Sequence, residues 1–138
     1  MNTRVLVVDD DPVALGMLEA ALKLGGFDIV RAYGAEDALR KVKLRKPDIV
    51  LTDLEMPKIN GVALISMIRE DPEIQRTPVI AVTAHTWDTI GQAAAQVGCD
   101  ALIAKPFSPQ KLIEKVRECL AIRRAAAPPP RRVLRGVE

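Results

Sequence analysis

The stretch Ile49-Val50-Leu51-Thr52-Asp53-Leu54-Glu55-Met56-Pro57, closed by Asn60-Gly61, decides the fold. An apolar, partly β-branched run ends abruptly in a carboxylate, and a turn follows at once. This pattern reads as a strand buried on both faces that delivers Asp53 to the mouth of a sheet, where a helix restarts. A carboxylate there is costly to bury alone, so it needs a positive partner, a metal ion or a reaction. The plainer alternative is a helix N-cap aspartate. What separates the two readings is whether other strand ends bring charged groups to the same place.

Working toward the N-terminus, Val5-Leu6-Val7-Val8 is a second continuous apolar run, and it ends in Asp9-Asp10-Asp11-Pro12. Asp11 followed by proline starts a helix, with Asp11 as N-cap and Pro12 at the first helical position. Ala14, Met17, Leu18, Ala21 and Leu22 form its expected inward stripe, and Gly25-Gly26 stops it. Capping cannot account for Asp9 and Asp10 as well. Phe27 to Ala32 reads as the next strand, and Gly34 opens a helix carrying Ala38, Leu39 and Val42 inward. The basic run Arg40–Lys46 at the end of that helix complements its dipole and keeps the outer face wet.

Working toward the C-terminus, Leu64, Ile65 and Ile68 mark an amphipathic helix that ends near Asp71-Pro72. Pro78–Val82 is a strand closing on Thr83, and a helix runs from about Trp87 to Val97, with Ile90, Ala93, Ala94 and Val97 inward. Ala101–Ala104 is a last strand, ending on Lys105-Pro106-Phe107, and Ser108-Pro109 starts a helix through Leu112, Ile113, Val116 and Leu120. Five β-α units in a row with apolar strands imply an all-parallel sheet covered by helices on both faces. The expected architecture is α/β, a flavodoxin-like (βα)5 three-layer sandwich with strand order 2-1-3-4-5. Aromatics are only 3 % of the chain, so its core must be aliphatic.

All strand C-termini then share one edge, which gathers Asp9, Asp10, Asp53, Thr83 and Lys105. Carboxylates that close repel one another and titrate as a coupled set. A hard divalent cation relieves the repulsion, and Mg²⁺ suits the site because it needs few protein carboxylates and takes phosphate oxygens readily. Carboxylates, cation, ammonium and hydroxyl are what a phosphoryl group needs during in-line transfer onto an oxygen nucleophile. Asp53, the sole acid ending the central strand, is the expected nucleophile.

At this point the chain resembles the receiver domains of two-component response regulators, over about residues 3–122. VLVVDDDP (5–12), TDLEMPKING (52–61), VIAVTA (79–84) and IAKPF (103–107) carry the resemblance. It implies that Asp53 accepts a phosphoryl group from a histidine of a sensor kinase or a phosphotransfer protein, which makes the chain a signalling switch rather than an enzyme with a free substrate. It implies Mg²⁺ on Asp10, Asp53 and the backbone carbonyl of Glu55, with Asp9 acting mostly through water. Lys105 would pair with the acyl phosphate, Thr83 would hydrogen-bond a phosphoryl oxygen, and Lys105-Pro106 would be cis. The likeness is to stand-alone receivers of the chemotaxis- and cell-cycle-regulator type. One departure stands out: Leu102 occupies a position where many receivers carry an aromatic that swings inward as the threonine moves. Glu55 and His85 flank the acceptor in the family pattern, and Trp87 stands beside the implied output face as a partner anchor or a cover for the helix start.

Beyond Ile122 the composition changes, dividing a receiver body (1–122) from a basic, proline-rich tail (123–138). Five arginines against Glu138 give the tail a net charge of +4, which leaves −2 on the body from a total of +2. Sixteen residues cannot form a helix-turn-helix output domain, so sequence-specific DNA binding is not expected; an unidentified downstream protein is. Cys99 and Cys119 lack metal-ligand spacing, and neither a membrane span nor a signal-peptide pattern is present, so a cytoplasmic protein with reduced thiols is expected. Two rival readings remain. An aspartate-nucleophile phosphohydrolase would use Asp9 as nucleophile and Asp11 as acid, but the acids after Lys105 in the globular part, Glu114 and Glu118, lie on the last helix, where they cannot complete such a site. A pseudo-receiver that binds partners without phosphorylation would not need the full set of site residues found here.

Overall fold

The computed structural model describes residues 2–84 and 89–125, with side chains described to Arg123. Five strands and five helices alternate along the chain: β1 (Arg4–Val8), α1 (Pro12–Lys23), β2 (Asp28–Ala32), α2 (Ala35–Arg45), β3 (Ile49–Asp53), α3 (Gly61–Glu70), β4 (Val79–Thr83), α4 (Thr89–Gln96), β5 (Ala101–Ala104) and α5 (Pro109–Ala125). The strands form one parallel sheet in the order β2-β1-β3-β4-β5. The expected flavodoxin-like topology is therefore observed.

Residues of β3 alternate between the two faces of the sheet, and both faces are covered. Leu6, Val8, Val50 and Ala81 pack with α2, α3 and α4, through Ala38, Val42, Leu64, Ile65, Ile68 and Ala94. Val5, Val7, Ile49, Leu51, Ile80 and Val82 pack with α1 and α5, through Leu15, Leu18, Leu22, Leu112 and Val116. That is why β1, β3 and β4 read as unbroken apolar runs rather than alternating ones. Each fully buried Leu or Ile contributes about 1.5–3 kcal/mol, so this aliphatic bilayer is the main source of stability.

Local chemistry sets the element ends. Asp11 caps α1 by accepting from Val13 N at 3.0 Å, with Pro12 following it. Asn60 caps α3 by accepting from Ala63 N at 2.9 Å, and Ser108 Oγ accepts from Lys111 N at 3.1 Å in the first turn of α5. Lys46 ends α2 in the left-handed conformation, with φ of 46°.

Three expectations need correction. Met17 is 63 % exposed and Ala14 only half-buried, because α1 faces the sheet along Leu15, Leu18 and Leu22, a stripe rotated away from Met17. Strand limits shift by a residue: β2 starts at Asp28, with Phe27 buried just before it, and β4 spans Val79 to Thr83. The compositional break after Ile122 falls inside a helix. α5 runs to Ala125, and Arg123 donates to Asp100 Oδ1 at 2.8 Å and to the Arg76 carbonyl, so this arginine belongs to the last helix. His85, Trp87 and the tail from residue 126 lie outside the described residues, as does the expected start of the fourth helix at Trp87.

Candidate phosphoryl-transfer site

The sheet order places the ends of β1 and β3 side by side, with Val8 opposite Thr52, and sets Asp53 opposite Val82 of β4. β5 follows β4 with Ala104 opposite Thr83, so Lys105 emerges at the same edge. One oxygen from each of Asp9, Asp10 and Asp53 lies within 4.8 Å of the others. Lys105 Nζ stands 3.7 Å from Asp9 Oδ2 and 3.6 Å from Asp53 Oδ1, too far for a hydrogen bond but close enough for a strong charge interaction. The Lys105-Pro106 peptide is cis. Lys105 N donates to the Thr83 carbonyl at 2.9 Å, which ties the ends of β4 and β5 together.

The acids differ in their surroundings. Asp9 is 1 % and Asp53 7 % exposed, whereas Asp10 lies on the surface. Asp9 Oδ1 accepts from Asp11 N at 3.0 Å, and Asp53 Oδ1 accepts from Glu55 N at 3.3 Å. Asp9 Oδ2 is buried without a hydrogen-bond partner. Burial pushes the carboxyl pKa of both Asp9 and Asp53 above the ordinary range, and the Lys105 charge opposes this without cancelling it. An unsatisfied buried oxygen inside a three-carboxylate cluster is the donor set a hard divalent cation fits.

Thr83 is fully buried at the end of β4, and Leu102 is half-buried against the α2–α4 face of the core. Two features of the β3–α3 turn escape a reading of motifs. Thr52 is fully buried, and its hydroxyl donates to the Asp53 carbonyl at 2.9 Å. Gly61 packs so tightly on the strand end that a Cβ there would stand 2.2 Å from the Asp53 carbonyl oxygen. The only available signals were a hydroxyl within an aliphatic run and a glycine opening a helix.

A sheet-edge pocket of three acids and one lysine on this fold defines a class of aspartate-centred signalling domains. The response regulator receiver domain model matches residues 5–117, and the chain belongs to that family. It is 28 % identical to the polar-differentiation response regulator DivK of Brucella anthropi over 120 residues, covering 87 % of this chain and 98 % of that one. It is 30 % identical to the alkaline phosphatase synthesis transcriptional regulatory protein PhoP of Bacillus subtilis, covering 93 % of this chain but only 52 % of PhoP. It therefore spans about half of PhoP and nearly all of DivK. Among solved structures, a CheY-like receiver domain protein from Methanospirillum hungatei matches with a TM-score of 0.82 at 26 % identity, covering 91 % of this chain and 98 % of the other. The receiver domain of a sensor histidine kinase from Pseudomonas aeruginosa, solved with a magnesium ion coordinated in its active-site cleft, matches at 0.81 and 26 %, covering 88 % and 99 %. No helix among the described residues is long and apolar enough to cross a membrane.

Proposed function

We propose that this chain is a phosphorylation-driven signalling switch. Asp53 accepts a phosphoryl group from a phosphohistidine of a sensor histidine kinase or a histidine phosphotransfer protein, with Mg²⁺ in the pocket. The phosphorylated form then binds a downstream protein or passes the group on. The observation that carries this reading is the convergence of Asp9, Asp10, Asp53 and Lys105 on one sheet edge, with Asp9 Oδ2 left buried and unpartnered.

In this reading an Asp53 carboxylate oxygen attacks phosphorus in line while the bond to the donor imidazole nitrogen breaks, and the electron pair leaves with the imidazole. The carboxylates of Asp9, Asp10 and Asp53 and the backbone carbonyl of Glu55 would hold the cation, which when bound offsets the charge gathering on the phosphoryl oxygens. Lys105, balanced between Asp9 and Asp53 before transfer, loses the Asp53 charge to the acyl phosphate and turns to a phosphoryl oxygen. Thr83 supplies its hydroxyl to another, drawing the end of β4 inward. Leu102 offers no aromatic rotamer, so the change is read out through leucine packing along β5 and the groove of about 380 Å³ that Leu102, Ala104 and Phe107 form with α5. The chain's catalysis is confined to gaining and losing its own phosphoryl group.

Incubation with Mg²⁺ and acetyl phosphate is expected to give a labile adduct that is absent in Asp53→Asn and retained in Asp11→Asn. Turnover of phosphate esters that is lost in Asp9→Asn would instead identify a phosphohydrolase.

A further inference from the structure

Every residue of β3 before its terminal aspartate is aliphatic except Thr52. This residue is fully enclosed, with Val8 of β1 opposite it on one side and Ala81 of β4 on the other. Valine would fill nearly the same volume with no hydroxyl to satisfy. The hydroxyl here has a definite target, the carbonyl oxygen of Asp53 at 2.9 Å.

Gly61 bears on the same oxygen, since a Cβ at that position would stand 2.2 Å from it and 2.7 Å from Leu54 Cα. Gly61 N also donates to the Leu54 carbonyl at 2.9 Å. The two peptide planes after Asp53 are thus held in succession, the first at its carbonyl by Thr52 and the second at its carbonyl by Gly61. These planes carry the N–H groups of Leu54 and Glu55, and Glu55 N donates to Asp53 Oδ1 at 3.3 Å. Leu54 N–H, which lies on the first plane, also donates to the Asp53 carboxylate, so the orientation of that plane helps set where the carboxylate points.

We propose that Thr52 is a positioning residue for phosphoryl transfer: its buried hydroxyl fixes the peptide plane after Asp53, and through that plane the aim of the acceptor carboxylate. This rests on Asp53 being the acceptor. Thr52 is too enclosed to meet the donor itself, so its effect is exerted wholly through geometry. Small misplacements of a nucleophile are costly because transfer needs in-line approach.

The test compares the parent chain with Thr52→Val and Thr52→Ser, each checked for folding by thermal melt. Two quantities are read well below the melting temperature: the labelling rate with Mg²⁺ and acetyl phosphate, and Mg²⁺ affinity by calorimetry without any phosphodonor. Thr52→Val is expected to label about tenfold more slowly and to bind Mg²⁺ more weakly, while Thr52→Ser restores both. A Thr52→Val chain that matches the parent in both quantities overturns the proposal, as does a loss that merely tracks the unfolded fraction. If the parent chain takes no label, Asp53 is not the acceptor. The Mg²⁺ comparison, which needs no phosphoryl transfer, then still decides whether Thr52 aims the carboxylate, and an unchanged affinity overturns the claim.

Discussion

Replacing Lys105 with methionine isolates the positive charge that, among the described residues, faces the buried acids. Its Nζ lies 3.7 Å from Asp9 and 3.6 Å from Asp53, with its side chain 30 % exposed. At an effective dielectric constant of about 20, each contact is worth about 4–5 kcal/mol of gross attraction. Most of that is offset by desolvation of the ammonium and the ordering of a long side chain. Neither contact is a hydrogen bond, and water reaches the lysine, so the net loss in Lys105→Met is about 2 kcal/mol at pH 7. For a chain of this size that lowers the melting temperature by roughly 8 °C. The loss should shrink on acidification. Burial already holds the Asp9 and Asp53 carboxyls above their ordinary pKa, so the folded state keeps protons that the unfolded chain has released. Stability therefore falls as pH rises through that window, and it falls faster without the lysine. At pH 4 both acids hold more of their protons in the folded state than at pH 7, so the variant should move toward the parent. The same substitution removes a cation that competes with Mg²⁺, so Mg²⁺ should bind about tenfold more tightly, a gain of about 1.4 kcal/mol. Thermal melts at pH 4 and 7 together with calorimetric Mg²⁺ titration check all three outcomes. A variant equal to the parent in metal-free stability at pH 7, or one that binds Mg²⁺ more weakly, would refute the assignment of Lys105 as the counter-charge of this pocket.

Asp53→Asn removes one of the two buried anions, so the metal-free decline in stability between pH 4 and 7 should flatten; urea midpoints across that range measure it, and an unchanged slope counts against the coupling. Asp100 accepts from Val79 N at 2.8 Å, Arg69 Nη2 at 2.9 Å and Arg123 Nη1 at 2.8 Å. Asp100→Asn should therefore cost about 2–3 kcal/mol in chemical denaturation, the usual range for breaking a partly buried pair reduced for its exposure, and much of that cost should vanish in an Arg69→Met background. Burial pushes the Cys119 thiol pKa up to about 11, and that of half-buried Cys99 upward too. Cys119 should react with a disulfide reagent at pH 8 only as fast as the chain unfolds and Cys99 faster than Cys119, and rapid labelling of Cys119 in the native state would contradict this.

The fold and the convergence of Asp9, Asp10, Asp53 and Lys105 were legible in the sequence because both follow from strong one-dimensional signals. Unbroken apolar runs mark strands covered on both faces, and the charged residues that end Val5–Val8, Ile49–Leu51 and Ala101–Ala104 must share an edge once the sheet is parallel. The phase of α1 was less legible, since Met17 and Leu15 are both apolar and only contact with the sheet selects Leu15. The role of Arg69 was hidden altogether. Its guanidinium donates to the carbonyls of Gly98, Gln75 and Thr77 and to Asp100, partners up to 31 residues away. No local periodicity encodes such a contact. Arg123 read as tail charge for the same reason, because its partners Asp100 and Arg76 come close only when α5 is docked.

Two charge clusters of similar make-up, carboxylates facing basic side chains, occupy different parts of the molecule, and their distances separate structure from reactivity. Around Asp100 the arginines meet their acceptors at 2.6–2.9 Å where Arg69 is the donor, and Asp100 Oδ2 also takes the Val79 N–H at 2.8 Å. Such a network has little left to offer a ligand and serves to fasten α3, β4, β5 and α5. At the other cluster the cation nearest the buried acids among the described residues, Lys105, waits at 3.6–3.7 Å, and Asp9 Oδ2 accepts no hydrogen bond. A buried polar atom left in that condition is a standing cost. The aliphatic core is large enough to bear it, and under the proposed function a bound metal and phosphoryl group would relieve the cost. Pairing the acids from within, for instance with Lys105→Arg so that a longer fork reaches both, should therefore stabilise the resting chain while slowing phosphorylation of Asp53; a variant that is both more stable and equally fast would show that the open geometry has no part in the chemistry.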